Sequence, residues 1–279
     1  MNRFLSVLFV SLVPGIVAAQ VGDHPNLVLS IYGGVSSGHS LWNVARQPLC
    51  VIASGACEQS GSGTVDDTLA IARDVSSSVL LGAAVSYFKN PYIGFQAEIF
   101  YLGLSFDDRC TPVAPYQPDS ENKNQQICDS FASTGASASA VTFLGGVVLR
   151  ASPRHAISPY LRGSLGFTAY SGGTLQAFGD FGSTDPQTGQ PITVSRDIVV
   201  DTNPKSSSWT VQVAAGITSR LSPGYQIRFE LRDAIIPLER LVGPANSSGL
   251  APHETQVYHH LALVIGLDVV LEHQRGHRY

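Results

Sequence analysis

The side chains able to do chemistry are few in this chain. His259 and His260 follow Glu254 and Thr255 at the start of a C-terminal apolar run. Nucleophilic catalysis needs a hydroxyl within hydrogen-bond reach of a base that a third group orients. The chain has no GxSxG turn and no His-x-Ser spacing at a strand end. His259 and Tyr258 also suit a membrane interface, where amphipathic rings are favoured, so the expectation is that the protein is not an enzyme. The clusters Asp66-Asp67, Asp107-Asp108 and Asp119 with Glu121 offer carboxylates to calcium, but no EF-hand or repeat spacing accompanies them. They read as solvated surface, and no metal or cofactor is expected. Cys50 lies close to Cys57, and Cys110 to Cys128, each pair in a polar stretch rich in Pro, Gly or Ser. Neither pair has the CxxC spacing or nearby histidines of a zinc site. In an oxidising compartment they read as disulfides, with Cys50–Cys57 and Cys110–Cys128 preferred among the three connectivities that four cysteines allow.

The remaining charges follow a pattern. In YQIRFELRD, Tyr225, Ile227, Phe229 and Leu231 alternate with Gln226, Arg228, Glu230 and Arg232. Strict period two marks a strand with one apolar and one polar face. Seven other segments share this character: Asn26–Ser36, Ser77–Phe88, Tyr92–Phe106, Ala136–Ala151, Ile157–Tyr170, Ser207–Leu221 and Gln256–Glu272. All are rich in Val, Ile, Leu, Tyr and Phe, with glycines where a strand must curve.

Bulk properties narrow the setting. The 279 residues are 44% hydrophobic and only 14% charged, against about 25% charged in soluble domains. A net charge of −4 supplies no basic face, so no nucleic acid is expected as a partner. Residues 1–19 carry Arg3, an apolar run Phe4–Val13 and the small residues Ala18-Ala19, the layout of a cleavable export signal. No later window holds the roughly 18 apolar residues of a membrane helix; Leu261–Leu271 is too short and contains Asp268.

Connections between the eight segments alternate in length. The second and third are joined by Lys89–Pro91, the fourth and fifth by Ser152–Ala156, the sixth and seventh by Ser222–Gly224, all short enough for hairpin turns. The others are long, about 37–76, 107–135, 171–206 and 236–255. A compact soluble domain seldom carries four such loops. A slab crossed eight times puts every short turn on one side and every long loop on the other, the layout of an outer-membrane barrel. Residues 20–279 therefore read as one all-β domain, an eight-stranded antiparallel up-and-down transmembrane β-barrel. A secreted β-sandwich is the alternative, and it leaves the loop asymmetry unexplained.

By this alternation and topology the chain resembles the small eight-stranded outer-membrane barrels, the family of the OmpA barrel domain, OmpX and OmpW. The resemblance implies a bacterial outer-membrane location, contact with outer-membrane lipid, and recognition by the outer-membrane assembly machinery, whose aromatic end signal Tyr279 resembles. It implies either a structural or surface-interaction role, with an extracellular ligand at the loops, or porin-like transport of small or hydrophobic molecules in the manner of OmpW; a lipid-modifying enzyme is the remaining variant.

In such a barrel the apolar faces meet lipid and the polar faces line the lumen. The lumen set is Gln96, Glu98, Arg150, Arg162, Gln212, Arg228, Glu230, Arg232 and Asp268. Eight strands enclose only enough room for side chains, and buried charges there must pair. The expectation is an arginine–carboxylate network joining the third, seventh and eighth segments, with Arg150 and Arg162 nearer the periplasmic mouth, and a lumen that does not conduct. Within the third long loop, Pro191–Asp201 alternates again, extending a hairpin beyond the membrane with an edge open to β-augmentation.

Overall fold

The computed structural model describes residues 26–49, 67–113, 123–133, 137–171, 175–184, 187–201, 206–246 and 249–272. Its elements in chain order are β1 (Asn26–Ser36), β2 (His39–Leu49), β3 (Asp67–Val75), β4 (Ser78–Phe88), β5 (Ile93–Val113), α1 (Lys123–Ser133), β6 (Ser137–Arg150), β7 (Ile157–Ser171), β8 (Leu175–Thr184), β9 (Pro191–Asp201), β10 (Ser207–Ser222), β11 (Tyr225–Leu241) and β12 (His253–Glu272).

Eight of these close a ring. Antiparallel pairing runs β1–β4–β5–β6–β7–β10–β11–β12 and returns from β12 to β1, with β5–β6 completing the circuit. The ring is staggered. From Gly34, one direction leads through Leu80, Leu102 and Ala140 to Tyr170 on β7. The other leads through Val264, Glu230 and Gly216 to Tyr160 on the same strand. The two arrivals are ten residues apart, from 160 to 170, the shear that tilted strands need to close a barrel.

Alternation dictates the two faces. Leu27, Leu29, Ile31 and Val35 of β1, Phe95, Ile99 and Tyr101 of β5, and Leu261, Leu263 and Ile265 of β12 all stand exposed on the outside, while Val28, Ser30, Glu98, Phe100, Val264 and Asp268 are buried within. A contiguous belt of exposed large apolar side chains runs round the ring, far beyond the patch a water-soluble monomer leaves uncovered. Hydrocarbon is the solvent that accounts for it, and a closed barrel meets the demand of lipid that every strand N–H and C=O be paired. The chain is an eight-stranded transmembrane β-barrel. At one end the strands turn tightly: Asn90 Oδ1 accepts hydrogen bonds from the amides of Tyr92 and Ile93, and Gly224 turns β10 into β11 at φ 82°.

At the other end the long connections are built into a cap, where the sequence pattern alone shows loops. The four segments read as loops contain β2, β3, the outer third of β5, α1, β8, β9 and the outer end of β11. β2 and β3 form a hairpin whose second strand pairs with β5 from Thr68↔Val113 to Val75↔Phe106. β8 and β9 pair with each other, and β9 has the bounds that its alternation predicts. α1 presents Ile127, Cys128 and Phe131 to the cap interior, residues three and four apart on one helix face. Trp42, Val44, Leu69, Ile71, Val199, Leu241 and Ala251 complete that core. Cys110 of β5 is bonded to Cys128 of α1; the Cys50–Cys57 pairing lies outside the described residues. Gln47, 2% exposed, fixes the β11–β12 connection by accepting from the amide of Ala245 at 2.7 Å and donating to its carbonyl at 3.3 Å.

Candidate functional site: the barrel lumen

The inward faces of β5, β7, β11 and β12 bring the charged side chains into one column. At its middle, Glu230 receives hydrogen bonds from Arg162 Nη2 at 2.7 Å, Arg232 Nε at 2.9 Å and the Tyr160 hydroxyl at 2.7 Å. Glu98, across the lumen, receives Arg232 Nη1 at 3.0 Å together with Arg162 Nη1 and the Tyr32 hydroxyl. Two carboxylates are thus bridged by two guanidinium groups, each reaching both, and all four side chains are 1% exposed or less. Burying such charges is tolerable only with pairing this complete, because each ion forfeits several kcal/mol of hydration. The planar guanidinium fork suits the task, offering donors in two directions at once.

Nearer the tight turns, Arg228 donates to Asp268 at 3.0 Å and to Ser30 at 3.0 Å. Arg150 lies lowest, its guanidinium 3.6 Å over the ring of Phe88. Toward the cap, Thr142, Thr168 and Thr210 form a hydroxyl chain at 2.8 and 2.6 Å, flanked by Leu80, Phe100, Leu102 and Leu144. Above it, Arg73 clasps Asp108 through both nitrogens at 2.6 and 2.8 Å. His39 packs against His260 with ring centroids 4.5 Å apart, and burial holds the His39 imidazole below its ordinary pKa, with Asp74 pulling the other way.

All nine of the residues assigned to the lumen from sequence face inward, but they do not all join the network. Glu98, Arg162, Glu230 and Arg232 form its centre, and Arg228 with Asp268 a second pair below. Gln96 and Gln212 are buried, and neither amide has a hydrogen-bond partner among the described residues. Arg162 requires a correction: the expected place is near the periplasmic mouth with Arg150, and it sits at mid-lumen beside Glu98 and Glu230. Counted from the tight turns, Arg162, Glu98 and Glu230 each stand five positions past the first residue of their strand, Ile157, Ile93 and Tyr225, and that equal spacing brings the three to one height.

Sequence reasoning missed the aromatic half of the site. Tyr32 and Tyr160 donate their hydroxyls to the two carboxylates, and Arg232 lies over Tyr32 at 4.6 Å and over Phe100 at 5.7 Å. The signal that could have found them is glycine. A Cβ on Gly82 would come within 2.4 Å of the Tyr32 ring, and one on Gly216 within 2.6 Å of the Tyr160 hydroxyl. These inward glycines clear space for the two rings, a role beyond the strand curvature that their sequence context suggests.

The catalytic candidates part company. His259 points outward, its Nδ1 2.7 Å from Asp233 Oδ2, and no hydroxyl is bonded to it among the described residues. His260 points inward to His39, and Glu254 pairs with Arg240 at 3.4 Å. A carboxylate-oriented imidazole without a nucleophile is an incomplete triad.

No protein-family model matches the chain, and no curated protein does. Among solved structures it is similar to the outer membrane protein OprG from Pseudomonas aeruginosa, at 10% identity over 90% of this chain and 98% of that one, TM-score 0.48. The outer membrane protein AlkL aligns at 12% identity over 97% and 100% of the two chains, TM-score 0.43. Neisserial surface protein A aligns at 10% identity over 88% and 96%, TM-score 0.40. Likenesses of this size assign no role, so any role must be argued from the chain's own side chains.

Proposed function

We propose that this protein is a bacterial outer-membrane barrel with a sealed lumen, whose work is done by the ordered cap it holds above the membrane. The observation that carries the reading is the double bridge of Arg162 and Arg232 between Glu98 and Glu230, which spans the lumen at mid-height. An eight-stranded barrel has room for side chains and little else, and opening this one requires breaking buried ion pairs. The cap adds a second closure, with its own apolar core above the Arg73–Asp108 pair.

The orientation follows from the same picture. Tight turns face the periplasm and the cap faces outward, residues 1–19 act as the export signal, and outer-membrane lipid and the assembly machinery are the barrel's partners. A fixed, disulfide-held cap presents a constant surface to the exterior, which suits a structural or surface-interaction role better than an enzyme's or a transporter's. Reconstitution of the mature chain in planar bilayers, with uptake of small solutes by vesicles alongside, tests it. Neither conductance nor uptake is expected; a stable open channel would replace this reading with transport.

A further inference from the structure

The lumen charges do not balance. Arg150, Arg162, Arg228 and Arg232 face Glu98, Glu230 and Asp268, four guanidinium groups against three carboxylates. Three of the arginines are matched; Arg150, at the periplasmic mouth, has no carboxylate within ion-pair distance among the described residues and rests on the Phe88 ring. It lines a small recess open to solvent, whose other walls include Arg220, His155, Ser158, Thr218 and Gln226. Arg220 likewise has no carboxylate partner among the described residues. The Ser158 hydroxyl is buried there with no hydrogen-bond partner among the described residues.

We propose that this recess is an anion site for a phosphate-type oxyanion, with Arg150 and Arg220 as its charged donors and the Ser158 hydroxyl as its neutral one. Each wall supplies what such a group needs. A guanidinium fork matches two oxygens of a phosphate, and a hydroxyl adds a third donor. The surplus guanidinium is partly desolvated, so an incoming oxyanion restores to it a partner that burial has removed. The chemistry is shared by free phosphate and by the phosphodiester headgroup of a lipid in the periplasmic leaflet. The site stands whether or not the lumen above it conducts.

The test uses the full mature chain in nanodiscs. One arm titrates inorganic phosphate by calorimetry against chloride at equal ionic strength. The other compares nanodiscs of phosphatidylethanolamine alone with ones containing phosphatidylglycerol and counts the lipid retained by native mass spectrometry. One-to-one binding in at least one arm is expected, weakened at least tenfold by Arg150→Gln and by Arg220→Gln; the arm that responds identifies the source. Heat-modifiable gel migration verifies that each variant is folded, and if Arg150→Gln fails to fold, the half-exposed Arg220 carries the test. Absence of binding in both arms, equal competition by chloride, or folded variants that bind like the parent would overturn the site.

Discussion

The lower and upper halves of β11 are built to opposite rules. From Tyr225 to Arg232 the buried positions are Arg228, Glu230 and Arg232 and the outward ones Tyr225, Ile227, Phe229 and Leu231. Beyond Asp233 the buried positions become Ala234, Ile236 and Leu241, and the outward ones include Pro237 and Glu239. One continuous strand has a charged interior below and an apolar interior above. The change falls at Asp233, whose carboxylate meets His259 on the outer surface. Strand geometry is the same on both sides of that point, so the solvent is what differs: hydrocarbon below, water above. Lipid tails are as apolar as leucine, so the ion pairs and hydrogen bonds of the lumen distinguish the barrel's inside from its outside, beside the apolar clusters that fill the rest. The cap gains by the ordinary hydrophobic effect.

Perturbations of the two interiors should separate cleanly. Arg162→Ala leaves Glu98 and Glu230 with Arg232 as their one remaining bridge, and removal of a buried ion partner costs about 3–5 kcal/mol. Urea unfolding in lipid vesicles should show that loss in the barrel transition, with faster conversion to the unfolded band on unboiled gels. Cys110→Ser acts on the other region. The Cys110–Cys128 bond spans 18 residues, a loop for which chain entropy gives about 3 kcal/mol. Protease sensitivity of the cap should rise while the barrel transition stays where it was; a shift of both would mean that the two regions are one cooperative unit.

A smaller effect sharpens the boundary between them. Phe229→Arg places a charge on the lipid face and should cost about 2–4 kcal/mol, whereas Thr255→Arg, on the exposed outer end of β12, should stay within about 0.5 kcal/mol, as surface changes do. Equal costs would erase the inversion along the strands. The smallest effect concerns His39. Its pKa is lowered in the folded cap by burial, so below the ordinary histidine pKa of about 6.5 the unfolded cap binds the proton more readily. Cap stability should be constant above that pH and decline as pH falls through it, and His39→Phe should reduce the dependence in amide-exchange measurements, leaving the share of the buried His260 beside it.

The barrel was legible in the sequence because its two solvents are so unlike: Tyr225 to Arg232 can satisfy lipid outside and pairing inside in one register alone. The strand bounds of β1 and β9 follow directly from that alternation. The cap was not legible for the converse reason. On β3 the outward residues Ala70 and Ala72 contrast weakly with Leu69 and Ile71, and β2 contains Pro48. In α1 just Ile127, Cys128 and Phe131 mark a buried face. Within the lumen, alternation told which side chains face inward, and their height follows from the count from the tight turn, five positions for Glu98, Arg162 and Glu230 alike. Tyr32 and Tyr160 were hidden because tyrosine suits a lipid interface as well as a carboxylate.

The inversion on β11 can be measured directly. Single cysteines at 227, 229, 231, 237 and 239, labelled with an environment-sensitive fluorophore in vesicles containing brominated lipid, report which positions touch hydrocarbon. Strong quenching at 227, 229 and 231 with none at 237 and 239 is the result that two solvents along one strand require. Uniform quenching along the strand, or none at any position, would contradict it.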